Sequence, residues 1–324
     1  MSGRNRADHA GVELDGILVV AKPAGPTSHD IVALVRRLTG VRRVGHGGTL
    51  DPFAAGVLPI FLGHATRVVE YHLSDAKEYR ADVLFGARST TDDLDGELTP
   101  SDQPAPTREQ VENALVAFRG EIEQIPPDYS AVRVAGRHAY ELARHGQKVE
   151  LRPRHVTISA LDLEGWDGSD PLRPIGTLHI RCSAGTYVRA IARDLGEQLG
   201  SGAYLGALTR TASGPFTLAR AHPLEAVREA LAKGRAASLI LPSDFGLDVY
   251  PKVALPADEL GALARGQVIR HRASQGLEAG PDGLLRIVDD QGRLAAIARL
   301  EGGRLFPQKV FMPVPGATAA VTAS

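Results

Sequence analysis

Apolar positions along this chain follow two rhythms, continuous or alternating runs and stripes of period three to four, and their interleaving predicts a sheet with covering helices. Gly16–Ala21 (GILVVA) is a β-branched run followed by Pro23, Gly25 and Pro26, which reads as a buried strand ending in a tight turn. The next helix takes Thr27 or Ser28 as its cap, presents Ile31, Val32, Leu34, Val35 and Leu38 on one face, and stops at Gly40. Beyond a glycine-rich loop, Val57–Leu62 predicts a buried strand, Ala65–Leu73 a short helix and Glu78–Phe85 an alternating strand. Thr107 caps a helix to about Phe118, and strands follow at His155–Leu163 and Gly176–Cys182. Thr186–Leu199 is a helix with Val188, Ile191, Ala192, Leu195 and Leu199 spaced for burial. Near Asp248 the pattern changes: Ala262–Ile269 leads into LLRIVDDQGRLAAIARL, where Asp290, Gln291 and Gly292 separate a pair of apolar runs as a hairpin turn does.

The expected fold class is therefore α/β mixed (α+β): a large domain on a mixed, mainly antiparallel sheet with covering helices, plus a small β-rich C-terminal domain. The large domain is placed at 13–248 and the small one at 249–312. Residues 1–12 and 313–324 are small, polar or proline-bearing and aperiodic, and are expected to be disordered tails.

Length and composition fit a packed enzyme: 324 residues exceed what one growing core serves, and hydrophobic residues at 43% with charged residues at 23% are ordinary for a globular chain. The single cysteine, Cys182, excludes an internal disulfide and a cysteine-built zinc site, pointing to a reducing compartment. The longest nearly apolar run, Ala54–Leu62, contains a glycine and a proline and falls short of the roughly 20 residues a membrane helix needs. No apolar stretch of signal-peptide length follows the basic N-terminus, so a cytoplasmic protein without a membrane segment is expected.

A formal net charge of −1 gives no pointer to nucleic acid, but local patches do. Between residues 133 and 155 stand Arg133, Arg137, Arg144, Lys148, Arg152 and Arg154 against only Glu141 and Glu150, a pattern suited to an RNA clamp. Arg36, Arg37, Arg42 and Arg43 form a second basic group. The acidic cluster Asp92, Asp93 and Asp95 invites a calcium reading, but Thr91 occupies the first ligand position of that template, so no metal is expected. A serine-hydrolase reading of Arg181–Gly185 fails because the first glycine of G-x-S-x-G is missing.

The densest signal is Gly45–Pro59, GHGGTLDPFAAGVLP, where four glycines flank His46 and Asp51. It lacks the Gly-Lys-Ser/Thr ending of a phosphate-binding P-loop. Two readings stay open on the residues alone: a turn-rich connection with Asp51 capping the next element, or a loop presenting a carboxylate nucleophile.

Gly45, His46, Gly48, Leu50, Asp51, Pro52, Ala54, Gly56, Leu58 and Pro59 resemble the signature of the TruB family of tRNA pseudouridine synthases. Lys77-Glu78-Tyr79-Arg80 resembles the family's K-x-Y block and Gly185-Thr186-Tyr187-Val188-Arg189 its G-T-Y-x-R block. Lys22-Pro23 and Ile125–Ser130 extend the likeness over roughly residues 14–247, while Gly47, Ala55 and Thr90 depart from it. The resemblance implies isomerisation of uridine 55 in the tRNA T-loop to pseudouridine by a cytoplasmic monomer, without cofactor or metal. It assigns Asp51 as nucleophile, Arg189 as its ionic partner and Tyr79 as the ring that stacks on the extruded base. It places Tyr187 and Leu208 around the uracil and His46 where the nucleotide leaves its stack, with Lys22 supporting the loop or a phosphate. An insertion at about 125–155, with Arg137, Arg144, Lys148, Arg152 and Arg154, would grip the T-arm, and residues 249–312 would form a PUA-like domain. A non-catalytic protein that grips or folds tRNA is the alternative.

Overall fold

The first strand, β1 (Gly16–Lys22), is buried on both faces. Leu18 and Val20 enter the main core with Ile31 and Val35, whereas Ile17 and Val19 enter a second core with Val57, Phe61 and Phe216. A strand covered on both sides needs no polar alternation, hence its continuous apolar sequence. The computed structural model containing it describes residues 14–130, 132–134, 137–139, 142, 151–270 and 278–311. The two expected tails fall outside these residues.

Helix α1 (Ser28–Thr39) begins at a capping box in which the Asp30 N–H donates to Thr27 Oγ1 at 3.0 Å and the Thr27 N–H donates to the Asp30 carboxylate at 2.9 Å. It ends at Gly40, whose φ of 71° closes the last turn. The strands β2 (Val44–His46), β3 (Ala55–Leu62) and β4 (Lys77–Phe85) follow, then α2 (Arg108–Ala114), β5 (Gly120–Gln124), β6 (Arg154–Asp167) and β7 (Ile175–Cys182). Next come α3 (Val188–Gln198), β8 (Ala203–Ser213), β9 (His222–Pro223) and α4 (Leu224–Ala232). The sheet runs β9-β1-β3-β8-β4-β7-β6-β5, with β2 beside β3. Its pairs are antiparallel except β1 with β9 and β3 with β8, so the sheet is mixed and mainly antiparallel as expected.

Strand β8 has no counterpart among the expected elements. Register shifts at Leu205/Ala207 and Arg210/Ala212 break its alternation, so no period of two survives to be read. It is nonetheless central, lying between β3 and β4. Helix α3 meets the start of β8 through Gly196, where a Cβ would lie 2.0 Å from the Ala203 backbone nitrogen.

Two helices differ from expectation. The segment expected as one helix at Ala65–Leu73 consists of two 3₁₀ turns, Gly63–Arg67 and Val69–His72. Three-residue turns put Val68 and Tyr71 on one face toward the C-terminal sheet, while Ala65 and Val69 pack under the main sheet. Helix α3 starts at Val188 rather than Thr186, because Gly185 has a φ of 84° and Tyr187 is extended.

The C-terminal residues build a second, four-stranded sheet: β10 (Lys252–Ala254), β11 (Leu284–Val288), β12 (Leu294–Glu301) and β13 (Arg304–Val310), with α5 (Ala257–Ala264) packed on it. The expected hairpin is β11–β12; within its turn Asp289 Oδ1 accepts the N–H groups of Gln291 and Arg293. This sheet docks on the first through Val68, Leu247, Leu284, Ile297 and Phe311. Arg286 seals the contact with ion pairs to Asp244 at 3.1 Å and Asp248 at 3.0 Å.

Candidate active site

The loop Gly47–Ala54 that carries Asp51 leaves β2 and returns into β3, and three side chains hold its backbone. Ser28 Oγ accepts the Leu50 N–H at 2.8 Å and donates to the Leu50 carbonyl at 3.1 Å. Lys22 Nζ donates to the carbonyls of Pro23 (2.9 Å), Pro26 (2.8 Å) and Pro52 (3.2 Å). Arg210 donates from Nε to Val57 O (2.8 Å), from Nη1 to Thr49 O (3.3 Å) and from Nη2 to Gly48 O (3.1 Å). Lys22 and Arg210 are each only 1% exposed, so these carbonyls replace the water both cations lose. Burial nevertheless pushes the Lys22 amine down to about 8. With three carbonyls around its ammonium, Lys22 supports the loop and has no donor left for a substrate phosphate.

Asp51 meets Arg189 across this frame. The Arg189 Nε lies 3.0 Å from Asp51 Oδ2, an ion-pair distance, although its N–H is not aimed well enough for a hydrogen bond. The partners differ in exposure: the Asp51 side chain is 36% exposed and that of Arg189 6%. Arg189 is fixed from behind, pairing with Asp93 at 3.2 Å and donating to Thr91 O at 3.1 Å and Tyr129 O at 3.0 Å. Burial raises the Asp51 carboxyl above the usual carboxylate range, Arg189 opposes that rise, and the neighbouring Asp93 adds to it.

Tyr79 on β4 and Leu208 on β8 are each 8% exposed. Tyr79 is the cross-strand partner of Arg210 and Leu208 that of Ala81, which puts Tyr79, Arg210 and Leu208 on one face of the sheet. Burial raises the Tyr79 hydroxyl, which stays protonated at neutral pH, and Arg210 works against the rise. His46, at the end of β2, has its pKa lowered chiefly by burial and next by Arg210, so its ring is neutral. Its Nδ1 is buried without a hydrogen-bond partner.

Tyr187 is clamped at the N-terminus of α3 by Gln124, whose Oε1 accepts the Tyr187 N–H at 2.8 Å while its Nε2 donates to the Tyr187 carbonyl at 3.1 Å. The Arg154 guanidinium stacks 5.5 Å from the centre of the Tyr187 ring. Strand β6 begins at Arg154, which brings this member of the basic run against the Tyr187 ring. Arg152 is exposed. Arg144 and Lys148 lie outside the described residues, and of Arg137 only the backbone is described. The acidic cluster is engaged with arginines of α3: Asp93 with Arg189, and Asp92 with Arg193 at 3.1 Å. Among the described residues no group of three His, Cys, Asp or Glu side chains could hold a metal ion.

Reading the sequence missed Arg210 and Gln124. The signal for Arg210 was its spacing of two from Leu208, which shares its face once β8 is known; nothing local marks Gln124.

Residues 36–188 match the N-terminal domain of the TruB family of pseudouridylate synthases, and residues 189–248 match the C-terminal domain of tRNA pseudouridylate synthase B. The chain is similar to the tRNA pseudouridine synthase B of Symbiobacterium thermophilum, with 46% identity over 260 residues that cover 80% of this chain and 84% of that protein. It belongs to the TruB family. The chain is accordingly an isomerase of the pseudouridine synthase class. The tRNA pseudouridine synthase B of Bradyrhizobium diazoefficiens is 40% identical over 304 residues, covering 92% of this chain and 86% of that one. A solved structure of an H/ACA RNP bound to a substrate RNA containing 2'-deoxyuridine aligns with a TM-score of 0.68 at 25% identity, covering 93% of this chain and 86% of that one. Among the described residues no helix is long and apolar enough to cross a membrane.

Proposed function

We propose that this chain converts uridine 55 in the T-loop of tRNA to pseudouridine, with the Asp51 carboxylate as covalent nucleophile toward a uridine flipped out of its stack. The observation that carries the reading is the Asp51–Arg189 pair: a partly open carboxylate held against a buried guanidinium that is itself anchored by Asp93. The isomerisation breaks a C–N bond, turns the base and rejoins it through carbon; that carbon gives up its proton, the freed ring nitrogen gains one and the bond to Asp51 is broken again, so all atoms are retained and no group donor is needed. A carboxylate is a competent nucleophile only while ionised, and Arg189 favours that form against burial. Tyr79 offers its ring to the flipped base, Leu208 and Tyr187 enclose the uracil, and neutral His46 meets the nucleotide as it leaves the stack. The names of the Symbiobacterium and Bradyrhizobium relatives support tRNA as the substrate. Mapping pseudouridine in unmodified tRNA incubated with purified protein and EDTA tests the reading; modification elsewhere, or none, overturns it.

We assign residues 13–248 to the catalytic domain, 125–155 to its RNA-binding insertion and 249–312 to a PUA-like domain, in a cytoplasmic monomer. Because the Asp51 carboxyl is raised, its nucleophilic form is present above its folded pKa and lost as pH falls through it. The acid limb of the single-turnover rate is therefore expected above the ordinary value of 3.8, and a limb at or below 3.8 contradicts this. Replacing exposed Arg152 with alanine is expected to weaken tRNA binding uniformly and reduce the salt slope by about 1, as loss of one phosphate contact does. Arg154→Ala is expected instead to slow the reaction by freeing the Tyr187 wall. Identical behaviour of the two variants in binding and single-turnover rate would show that they share one role.

A further inference from the structure

Arg210 is the largest fully buried side chain of the described residues, and its hydrogen bonds go to carbonyls instead of a carboxylate. Removing it would leave three carbonyls without their donor, which is one reason to keep it. Its partners give a better one. Gly48 and Thr49 stand just before Asp51 in the loop, and Val57 lies where that loop has become β3, so one guanidinium fixes both sides of the turn carrying the nucleophile. Gly56 brings the two elements together: its φ is 111°, and a Cβ there would lie 2.2 Å from the Arg210 carbonyl oxygen.

Resting on the nucleophile reading, we propose that Arg210 is a positioning residue that sets the Asp51 loop and the Tyr79 hydroxyl relative to one another. Tyr79 is directly opposite Arg210 across the β8–β4 pair, and its hydroxyl interacts with the guanidinium. A guanidinium only donates, so in a hydrogen bond between the two the phenol oxygen is the acceptor and the phenol proton is left for another partner. The same fork that draws the Gly48 and Thr49 carbonyls thereby orients the one polar atom of Tyr79. Lysine carries the charge but not the planar fork and cannot reproduce carbonyl contacts from three separate nitrogens.

The test compares Arg210→Lys, Arg210→Met, Tyr79→Phe and Arg210→Lys/Tyr79→Phe, with Asp51→Asn in parallel. Single-turnover pseudouridine formation, tRNA affinity and thermal unfolding are measured for each. Arg210→Lys is expected to fold and bind tRNA as wild type does but to react roughly 100-fold more slowly, the scale of a misplacement of about 1 Å at a reacting group. Its loss and that of Tyr79→Phe are expected not to multiply in the double variant, because each removes the same arrangement. Wild-type rate in Arg210→Lys overturns the proposal, as does a loss confined to tRNA affinity or equal to the unfolded fraction. Losses that multiply independently overturn the link to Tyr79. If Arg210→Met fails to fold, Arg210→Lys still decides. Turnover by Asp51→Asn overturns the nucleophile reading itself, whereas inactive Asp51→Asn beside fully active Arg210→Lys overturns only the role of Arg210.

Discussion

Asp51→Asn is expected to abolish pseudouridine formation while leaving a folded protein that still binds tRNA. The amide has nearly the volume of the carboxylate but no charge and almost no nucleophilicity, and loss of a covalent nucleophile costs on the order of 10⁴-fold or more in rate. The fold should survive because Arg189 keeps its pairing with Asp93 and its bonds to the carbonyls of Thr91 and Tyr129 when Asp51 is neutralised. Stability should also not suffer from the lost charge. A carboxyl raised on folding binds its proton more tightly in the folded state, so its ionised form opposes folding above that pKa, and asparagine removes the opposition. Binding should persist because phosphate contacts and stacking supply most RNA affinity. Single-turnover assays, tRNA titration and thermal melts decide the matter: a rate near wild type removes Asp51 from the chemistry, and lost binding with an intact fold makes it a recognition residue.

Arg189→Met is expected to damage both stability and chemistry. Asp93 is 4% exposed and would lose its ionic partner, and breaking a buried pair in this way costs about 3–5 kcal/mol. With the guanidinium gone, burial and Asp93 act on Asp51 unopposed by the largest force holding it ionised, so its pKa rises further. The nucleophilic form is then lost at higher pH, and the acid limb moves upward from its wild-type position. Urea unfolding and a pH–rate profile of the folded variant measure the two effects. An unshifted limb with unchanged stability would show that the ion pair is idle. The double replacement Arg189→Met/Asp93→Asn separates the effects, since it removes the stranded charge and should recover stability without recovering rate.

Much of the site was legible in the sequence because its components are local. Asp51 sits in a run of glycines, and Tyr79 and Arg189 lie in short blocks whose resemblance to the TruB signature could be read residue by residue. The physical surroundings of those residues were less legible. Asp92 and Asp93 stood out as an acidic cluster, and Thr91 argued against a metal template, but nothing in the sequence pointed to the two arginines that hold them. Arg154 belonged to a basic run by composition, and only the stacking on Tyr187 separates it from exposed Arg152.

What the sequence alone determined follows from short-range rules. β1 reads as apolar because it is covered on both faces, α1 is bounded by Thr27 and Gly40 through backbone capping, and the β11–β12 turn follows from Asp290, Gln291 and Gly292. The tertiary structure decided the rest: that Lys22 and Arg210 face carbonyls, that Arg189 divides itself between Asp51 and Asp93, and that Gln124 clamps Tyr187. Those pairings join residues far apart in the chain, Arg210 and Gly48 among them, through the register of bulged strand β8 and the approach of α3 to it. A charge in a sequence shows neither its burial nor its partner, because both are fixed only when distant strands and helices close around it and remove its water.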